Sequence, residues 1–378
     1  AIVYDEATGT NNKILHRVIA MAGHEVQSFD EVYINDEIAT IDGNNNVTSP
    51  SQYNGKIKIY FKLGAPDQDA ELALVNESSK WTTSHRLRGI AYMYVRLVFD
   101  ADAFPNGIPT FTAGIKGKKV YDCRDYSTAW SDNPALCLRD YLTSKYGLNE
   151  TGDSIDDALV ISAANVCDQT NTIANTTRYT CNGAFTTVST PYDMMSEMLK
   201  SMGGSLWYAQ GKWRMKPAYW TNPVMDLNND DLRSAISVST RHSRRDNFNV
   251  IKGTFRGLES NWQTTDYPQV TNSAFLVADN NSESVADVDL TFTDNSIEAR
   301  RLALISLERN RQQITLNASF GLRTLELQIG DNVRLTNARF GWTNKEFEVV
   351  QWTFGLIEGL DLQVDMTLRE TASSVFDE

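Results

Sequence analysis

The residues of this chain best suited to acid–base chemistry are its four histidines, His16, His24, His85 and His242. They stand in unrelated sequence contexts, and the sequence contains no G-x-S-x-G, H-E-x-x-H or Walker pattern beside them. No glycine-rich run follows a strand-like segment and opens a helix, so nothing supports a nucleotide site. We therefore predict that the chain is not an enzyme.

Two pairs of adjacent acids, Asp5-Glu6 and Asp156-Asp157, leave one enzymatic alternative open. A cell-wall hydrolase needs two carboxylates about 5–10 Å apart across a cleft. Neighbours in sequence do not establish that geometry, so a hydrolase remains an alternative hypothesis.

The four cysteines, Cys123, Cys137, Cys167 and Cys181, could serve as metal ligands or as plain thiols. None belongs to a C-x-x-C pair, which disfavours a zinc ribbon or a thioredoxin-like motif. We predict reduced, mostly buried thiols that behave as small hydrophobic side chains. A metal site or an iron–sulfur cluster is the alternative.

The segment from Asp226 to Asp231 begins like a calcium loop, because oxygen-bearing side chains alternate in it. The pattern then fails, because Asp231 stands where the turn needs glycine and Ser237 stands where a bidentate glutamate is needed. We predict a loop and a helix cap there. Overall, the sequence predicts no catalytic, cofactor-binding or metal-binding residues and no cofactor.

The formal net charge of the chain is -13. This charge disfavours a general nucleic-acid binder and a protein that docks on anionic lipid. The acidic residues either keep the protein soluble or line a channel that repels DNA phosphates. The one dense basic run, Arg241–Arg245, is predicted to be solvated or ion-paired, with phosphate or lipid binding as the alternative.

Length and composition indicate a folded protein of several domains. At ~100–200 residues per domain, 378 residues predict two or three domains. The 8 Trp, 15 Tyr and 15 Phe suit large buried β surfaces. No run of ~18 apolar residues and no N-terminal signal is present. The ends at Ala1 and Glu378 lead us to expect a fragment of a longer protein.

The stretch from Ala129 to Gly147 is predicted to form one short helix between a β-rich part and a helical insert. Asp132 or Asn133 caps it, and Pro134 suits its first position. Its apolar face is formed by Leu138, Tyr141 and Leu142. Gly147 is expected to end it through a positive φ.

The predicted insert continues with a helix over about 155–167, capped by Asp153 or Ser154. A strand over 178–188, a helix that begins at Pro191 with Thr190 as its cap, and a tight hairpin over 205–216 follow.

Strand-like alternation dominates both ends of the chain. Near the N-terminus it marks strands over 14–41, 56–63, 88–100 and 111–121. The strand over 88–100 is apolar on both faces, which indicates either another element packed outside it or a subunit interface. Near the C-terminus we predict a strand over 247–256, a mobile loop over 272–284, and a helix over 296–311 capped by Asp294 or Asn295. Further strands are predicted over 314–320, 333–335, 346–354 and 360–368.

Several short motifs together resemble the tip attachment proteins of lambda-like long-tailed phages. They are Asn133-Pro134-Ala135, Cys137-Leu138, Asp140-Tyr141-Leu142, Tyr146-Gly147, Val166-Cys167-Asp168-Gln169, Arg178-Tyr179-Thr180-Cys181-Asn182, Phe248-Asn249, Trp262 with Thr264, and Leu322-Arg323 before Gly330-Asp331-Asn332-Val333. Their shared order and spacing, from about Tyr53 to Asp365, carry the resemblance. Cys123 departs from it, because the family has proline there.

The resemblance implies a β-rich α+β fold in which two antiparallel, tail-tube-like β-barrel regions hold a mixed helical insert. The corresponding expected domains are a first barrel-like domain at 1–120, completed by strands near 246–270, an insert at 121–245, and a second β-rich domain at 246–378. The matched motifs resemble folding features, and Trp130, Arg139, Trp207 and Trp262 are expected to be packing anchors at most.

The implied function is structural. A hub of this kind forms a homotrimeric ring at the distal end of the tail in the virion, after assembly in the host cytoplasm. It closes the tail tube, meets neighbouring tail-tip and distal tail proteins and the end of the tape-measure protein, and opens to pass DNA without specific binding. Host-receptor contact belongs to regions beyond this chain. The alternatives are a tail-borne cell-wall hydrolase and a monomeric receptor- or carbohydrate-binding module.

Overall fold

Alternating apolar and polar residues produce the strands of the N-terminal part. The computed structural model describes residues 1–170, 175–241, 243, 246–257, 260–356 and 362–377. It divides into two units, Ala1–Ser131 and Asp132–Glu378. The first unit consists of β1 (Ile2–Thr8), β2 (Ile14–Ala22), β3 (Val26–Ile34), β4 (Glu37–Ile38), β5 (Thr40–Ile41), β6 (Val47–Ser49), β7 (Ile57–Lys62), α1 (Leu72–Glu77), β8 (Ala91–Val98), β9 (Phe111–Tyr121) and β10 (Thr128–Trp130).

Two antiparallel four-stranded sheets, in the orders β1-β2-β8-β7 and β10-β9-β3-β4, build this first unit. They share one apolar core, to which Ile34, Ile59 and Phe111 contribute. Side chains alternate across a strand, so Met93 and Val95 of β8 point into this core. Tyr92 and Tyr94 point to the opposite face.

The second face of β8 is covered by the same chain. Tyr92 and Tyr94 pack with Leu74 of α1 and with Trp81 in a separate apolar cluster. Of the two sequence-based explanations for the two-sided strand, packing by another element of the chain therefore accounts for these two tyrosines.

The second unit mixes helices with sheets. It consists of α2 (Pro134–Thr143), α3 (Asp157–Cys167), α4 (Pro191–Lys200), β11 (Ser205–Ala209), β12 (Lys212–Lys216), β13 (Met225–Leu227), β14 (Ser237–Ser239), β15 (Val250–Lys252), β16 (Thr254–Arg256), β17 (Thr264–Asp266), β18 (Val270–Thr271), α5 (Ser273–Ala278), β19 (Val285–Asp287), α6 (Ser296–Arg311), β20 (Thr315–Phe320), β21 (Asn332–Asn337), β22 (Trp342–Leu356) and β23 (Leu362–Glu370).

A six-stranded sheet in the order β13-β21-β22-β23-β20-β14 is the largest sheet of the second unit. Its pairs are antiparallel except β13 with β21. Val333 lies opposite Phe347, and Phe320 lies opposite Val364, all fully buried on one face. Two smaller sheets have the strand orders β18-β15-β19 and β16-β17.

The β-rich α+β prediction is confirmed. The division into 1–120, 121–245 and 246–378 stays a prediction. Within the second unit, β13 and β14 from the segment 121–245 pair with β21 and β20 of the C-terminal segment.

Helix ends follow the local capping signals closely. Asn133 caps α2, Thr190 caps α4 and Asn295 caps α6, each through a side-chain oxygen that accepts a backbone N–H. The cap of α3 was predicted wrongly, because Asp156 holds that position. Asp153 and Ser154 belong instead to a preceding 3₁₀ turn, Gly152–Ser154.

Gly147 was expected to end its segment through a positive φ, but its φ is not positive. A Cβ on Gly147 would lie 1.9 Å from the carbonyl oxygen of Tyr141. The position therefore requires glycine because of close backbone approach.

Two further segment predictions were wrong. The predicted mobile loop over 272–284 contains α5, because Asn272 supplies a cap and an apolar run follows it. The predicted strand over 178–188 is irregular chain. Its backbone groups form single hydrogen bonds with several distant segments, so the segment does not pair with one neighbouring strand.

Candidate functional site

The motif segments that lie far apart in sequence meet in the second unit. The N-terminus of α2, the C-terminus of α3 and the segment 178–182 converge beside the N-terminus of α6. We call this meeting point the motif junction. Its bonds determine what the motif residues do.

Asn133 joins α2 to α3. Its Oδ1 accepts the N–H of Ala135 at 3.1 Å and so caps α2. Its Nδ2 donates to the Ala164 carbonyl at 2.9 Å and to Asp168 Oδ1 at 2.8 Å. Asn133 is only 2% exposed, and its bonds to Ala135 and Ala164 are buried, which shields them from water. The same side chain thus starts one helix and holds the end of another.

The segment 178–182 is fixed by its backbone. The N–H of Arg178 donates to the Gln169 carbonyl at 2.7 Å, and that of Tyr179 donates to the Cys167 carbonyl at 3.2 Å. The N–H of Cys181 donates to the Asp132 carbonyl at 2.7 Å. These bonds replace a strand ladder, which explains the failed strand prediction.

Thr180 sits between two carboxyl groups. Its N–H donates to Glu298 Oε1 at 2.9 Å, and its hydroxyl lies 2.8 Å from Glu298 Oε2 and 3.1 Å from Asp294 Oδ1. Burial raises the pKa of Glu298 well above its usual range and also raises the pKa of Asp294. Asn182 donates to Asp294 Oδ2 at 3.0 Å, so both acids are held by the 178–182 segment.

Two further bonds complete the junction. The buried Arg301 donates through Nη1 to the Arg178 carbonyl at 2.9 Å. The hydroxyl of the fully buried Tyr179 donates to the Ala218 carbonyl at 2.8 Å. Burial raises the pKa of Tyr179 to about 12, so this hydroxyl keeps its proton at neutral pH.

Three of the four cysteines lie at the junction. The half-buried Cys137 forms a side-chain hydrogen bond with the half-buried Cys181, and this bond and burial raise the pKa of Cys137 well above its usual range. Cys167 is buried, and burial raises its pKa too. None of the four, Cys123 included, belongs to a disulfide. Sequence reasoning did not find the Cys137–Cys181 contact.

The four expected packing anchors occupy different surroundings. Arg139 is buried and binds Asp157 with two parallel bonds, Nε to Oδ1 at 2.7 Å and Nη2 to Oδ2 at 3.0 Å, which ties α2 to α3. Trp130 and Trp207 are half-buried. Trp262 is 38% exposed.

Asp5, Asp156 and His16, which the sequence singled out, serve local structure. Asp5 pairs with Arg17 through two bonds of 2.8 Å, and Asp156 caps α3. His16 is buried between the hydroxyls of Thr8 and Tyr94, each 2.7 Å from a ring nitrogen. Burial lowers the pKa of His16, so the ring favours its neutral form.

Glu6 lies in a separate group of hydroxyls in the first unit. Tyr4 donates to its Oε2 at 2.6 Å, Ser78 donates to the same oxygen, and Ser79 donates to Oε1 at 2.8 Å. These bonds lower the pKa of Glu6 to about 2. A carboxylate with this environment is a structural acceptor and a weak base.

The second unit carries two open hollows. A polar groove of about 390 Å³ lies on the face of the six-stranded sheet opposite its core and is lined by Ser234, Asn317, Ser319, Gln351, Thr353, Asp365 and Thr367 together with Ala318 and Met366. Its lining contains one carboxylate and no aromatic ring. A hollow of about 340 Å³ beside α4 is lined mainly by apolar groups, including Phe185, Met194 and Phe292.

Among the residues that the structure describes, no three His, Cys, Asp or Glu side chains come together in a group that could hold a metal ion. Within that part of the chain, no helix has the length and apolarity to cross a bilayer. The segment from Asp226 to Asp231, predicted to be a loop and a helix cap, holds the end of β13 and a 3₁₀ turn capped by Asn228. Of the basic run Arg241–Arg245, residues 242, 244 and 245 lie outside the described residues.

Comparison with characterised proteins gives relatives in phage tails. Baseplate hub protein pb3 of Escherichia phage T5 is 26% identical over 364 residues, which cover 85% of this chain and 37% of that protein. The chain is similar to phage tail hub proteins. Tip attachment protein J of Escherichia phage SECphi27 is 25% identical over 263 residues, which cover 63% of this chain and 22% of that protein. The resemblance drawn from the motifs is thereby confirmed.

The chain matches only part of each of these two relatives but most of one chain of known structure. The chain spans about a third of the hub protein and about a fifth of the tip attachment protein. No family model matches the chain. A chain from the virion of a native gene transfer agent particle has the same fold, with a TM-score of 0.66 and 14% identity over 100% of this chain and 82% of that one.

Proposed function

We propose that this chain is the structural hub of a bacteriophage tail tip, located at the distal end of the tail in the virion. The observation that carries the proposal is the match to a baseplate hub protein over 85% of the chain. The fold shared with a virion chain along its whole length supports it. The domains at 1–120 with 246–270, at 121–245 and at 246–378 are part of this proposal.

In the proposed assembly, three copies form a ring that closes the tail tube. The ring contacts neighbouring tail-tip and distal tail proteins and the end of the tape-measure protein, and it opens to let DNA leave. A net charge of -13 supports passage without binding, because acidic walls repel phosphates. Receptor contact is assigned to regions beyond this chain, and assembly to the host cytoplasm.

The proposed role needs no catalysis. The bonds of the motif junction are those of structural anchors, because they tie α2 to α3 and the segment 178–182 to α6. The polar groove offers a single carboxylate, Asp365, whereas hydrolysis of a glycosidic bond uses two. Its lining also lacks the aromatic platform expected of a carbohydrate-binding module. The match to a baseplate hub protein favours the hub over both alternatives.

Light scattering behind a sizing column tests the ring directly. We expect a particle of three 42.4 kDa chains, and negative-stain images of that peak should show a central hole. A monomer at every concentration, together with retention on a glycan array or on cell-wall material, would overturn the proposal.

A further inference from the structure

The motif junction brings two cysteine thiols together without joining them covalently. Cys137 and Cys181 form a side-chain hydrogen bond, both are half-buried, and neither is in a disulfide. Cys181 is half-buried, which leaves a route for a small reagent to its side of the contact, whereas Cys167 nearby is fully buried. The contact is therefore a pair of thiols that a small disulfide can approach from Cys181.

The backbone fixes this dithiol from both sides. Cys137 lies at the end of the first turn of α2, where its N–H donates to the Asn133 carbonyl at 3.0 Å. The N–H of Cys181 donates to the Asp132 carbonyl at 2.7 Å. Because the two cysteines are bound to neighbouring residues, their approach does not depend on a side-chain rotamer alone.

We propose that Cys137 and Cys181 form an oxidisable site that a small disulfide, such as oxidised glutathione, converts into an intramolecular disulfide joining α2 to the segment 178–182. In the first step the Cys181 thiolate attacks one sulfur of the reagent and releases one glutathione thiolate. Cys137 then loses its proton to solvent, attacks the Cys181 sulfur of the mixed disulfide and releases the second glutathione.

The balance of the reaction is complete. The two protein thiols lose two protons and two electrons, and those electrons reduce one disulfide to two thiols. The bond to Cys181 and burial raise the pKa of the Cys137 thiol well above its usual range. We therefore assign Cys137 as the second, resolving group.

Oxidation would raise the stability of the motif junction. The link encloses the chain from 137 to 181, and closing such a loop restricts the unfolded state. When this oxidation would occur rests on the proposed function. A virion assembled in a reducing cytoplasm meets oxidising conditions after release. The chemistry itself can be tested on the isolated chain, whatever its oligomeric state.

Peptide mapping tests the proposal, because trypsin places each cysteine in its own peptide. Cys123, Cys137, Cys167 and Cys181 fall in 120–124, 125–139, 146–178 and 179–200. The native chain is incubated with oxidised glutathione, unfolded, alkylated without reduction and digested. We expect peptides 125–139 and 179–200 to be linked, at a mass about 2 Da below their sum because two hydrogens leave. The other two should be alkylated.

Variants separate this site from general oxidation. Cys137→Ser should carry glutathione on Cys181 and form no link, whereas the matched control Cys123→Ser should form the 137–181 link as the native chain does. The oxidised native chain should unfold several degrees higher than the reduced chain, a shift that dithiothreitol reverses and Cys181→Ser abolishes. A link to Cys167 or Cys123 instead, or separate glutathione adducts on Cys137 and Cys181 in the native chain, would overturn the proposal.

Discussion

Glu298, in the first turn of α6, accepts both the N–H and the hydroxyl of Thr180, at 2.9 and 2.8 Å. The two residues are far apart in sequence, and Glu298 is only 4% exposed. The pairing holds an irregular segment against a helix without any sheet ladder.

Replacement of Thr180 by valine should destabilise the second unit. The valine keeps the shape of the side chain but removes the hydroxyl, so Oε2 of the buried Glu298 loses that partner while Oε1 keeps the backbone N–H. Loss of such a partner typically costs about 1–3 kcal/mol. Urea unfolding followed by tryptophan fluorescence measures the change. The exposed neighbour Thr187→Val is the control and should stay within about 0.5 kcal/mol of the native chain; equal effects of the two variants would contradict the assigned role.

The pH dependence of stability should carry the signature of Glu298. Its pKa in the folded chain is raised from an ordinary value of 4.5, so its favourable contribution is complete below pH 4.5 and is lost as pH rises through the folded pKa. Glu298→Gln cannot titrate and should flatten this part of the curve. Unfolding free energies of both proteins from pH 4 to pH 8 give the comparison, and parallel curves would refute the prediction.

Glu6 should produce the opposite slope in the first unit. Its folded pKa is lowered from 4.5 to about 2, so its stabilising contribution is present above pH 4.5 and is lost as pH falls towards 2. Glu6→Gln should be less stable than the native chain at pH 7, since an amide offers fewer acceptors to Tyr4, Ser78 and Ser79. This deficit should shrink on acidification, and a deficit independent of pH would be inconsistent with a depressed pKa.

Gly147 should tolerate no side chain. An added Cβ would lie 1.9 Å from the Tyr141 carbonyl oxygen, so Gly147→Ala must move the backbone at the end of α2. We expect a loss of roughly 2–4 kcal/mol, in the range of severe steric changes. Gly152→Ala is the matched control, because its Cβ would meet nothing nearer than an Arg139 nitrogen at 3.8 Å. Thermal unfolding of both variants measures the difference, and similar midpoints would show the glycine to be dispensable.

Elements with local signals could be predicted from the sequence. The helix over 296–311 has the bounds of α6, and the strand over 111–121 has those of β9. The hairpin around Gln210-Gly211 also formed as expected. Each of these carries its own caps, alternation or turn residues, so the surrounding fold adds little information.

The bonds of the motif junction could not be predicted in the same way. Each of these bonds joins residues of different elements and forms only when those elements pack. The pairs are Thr180 with Glu298, Asn133 with Asp168, and Cys181 with Cys137. A single sequence shows which groups can donate and accept but not which of them meet. The segment 178–188 was misjudged for that reason, since its β-like composition is overridden by bonds to distant carbonyl groups.

Gold labelling of virions tests the hub proposal most directly. In particles of the phage that the proposal requires, antibodies raised against this chain, or a tag added to it, would be located by electron microscopy. We expect gold only at the end of the tail that lies away from the head. Gold along the tail tube or on the head, or purified virions that lack the chain by mass spectrometry, would contradict the proposal.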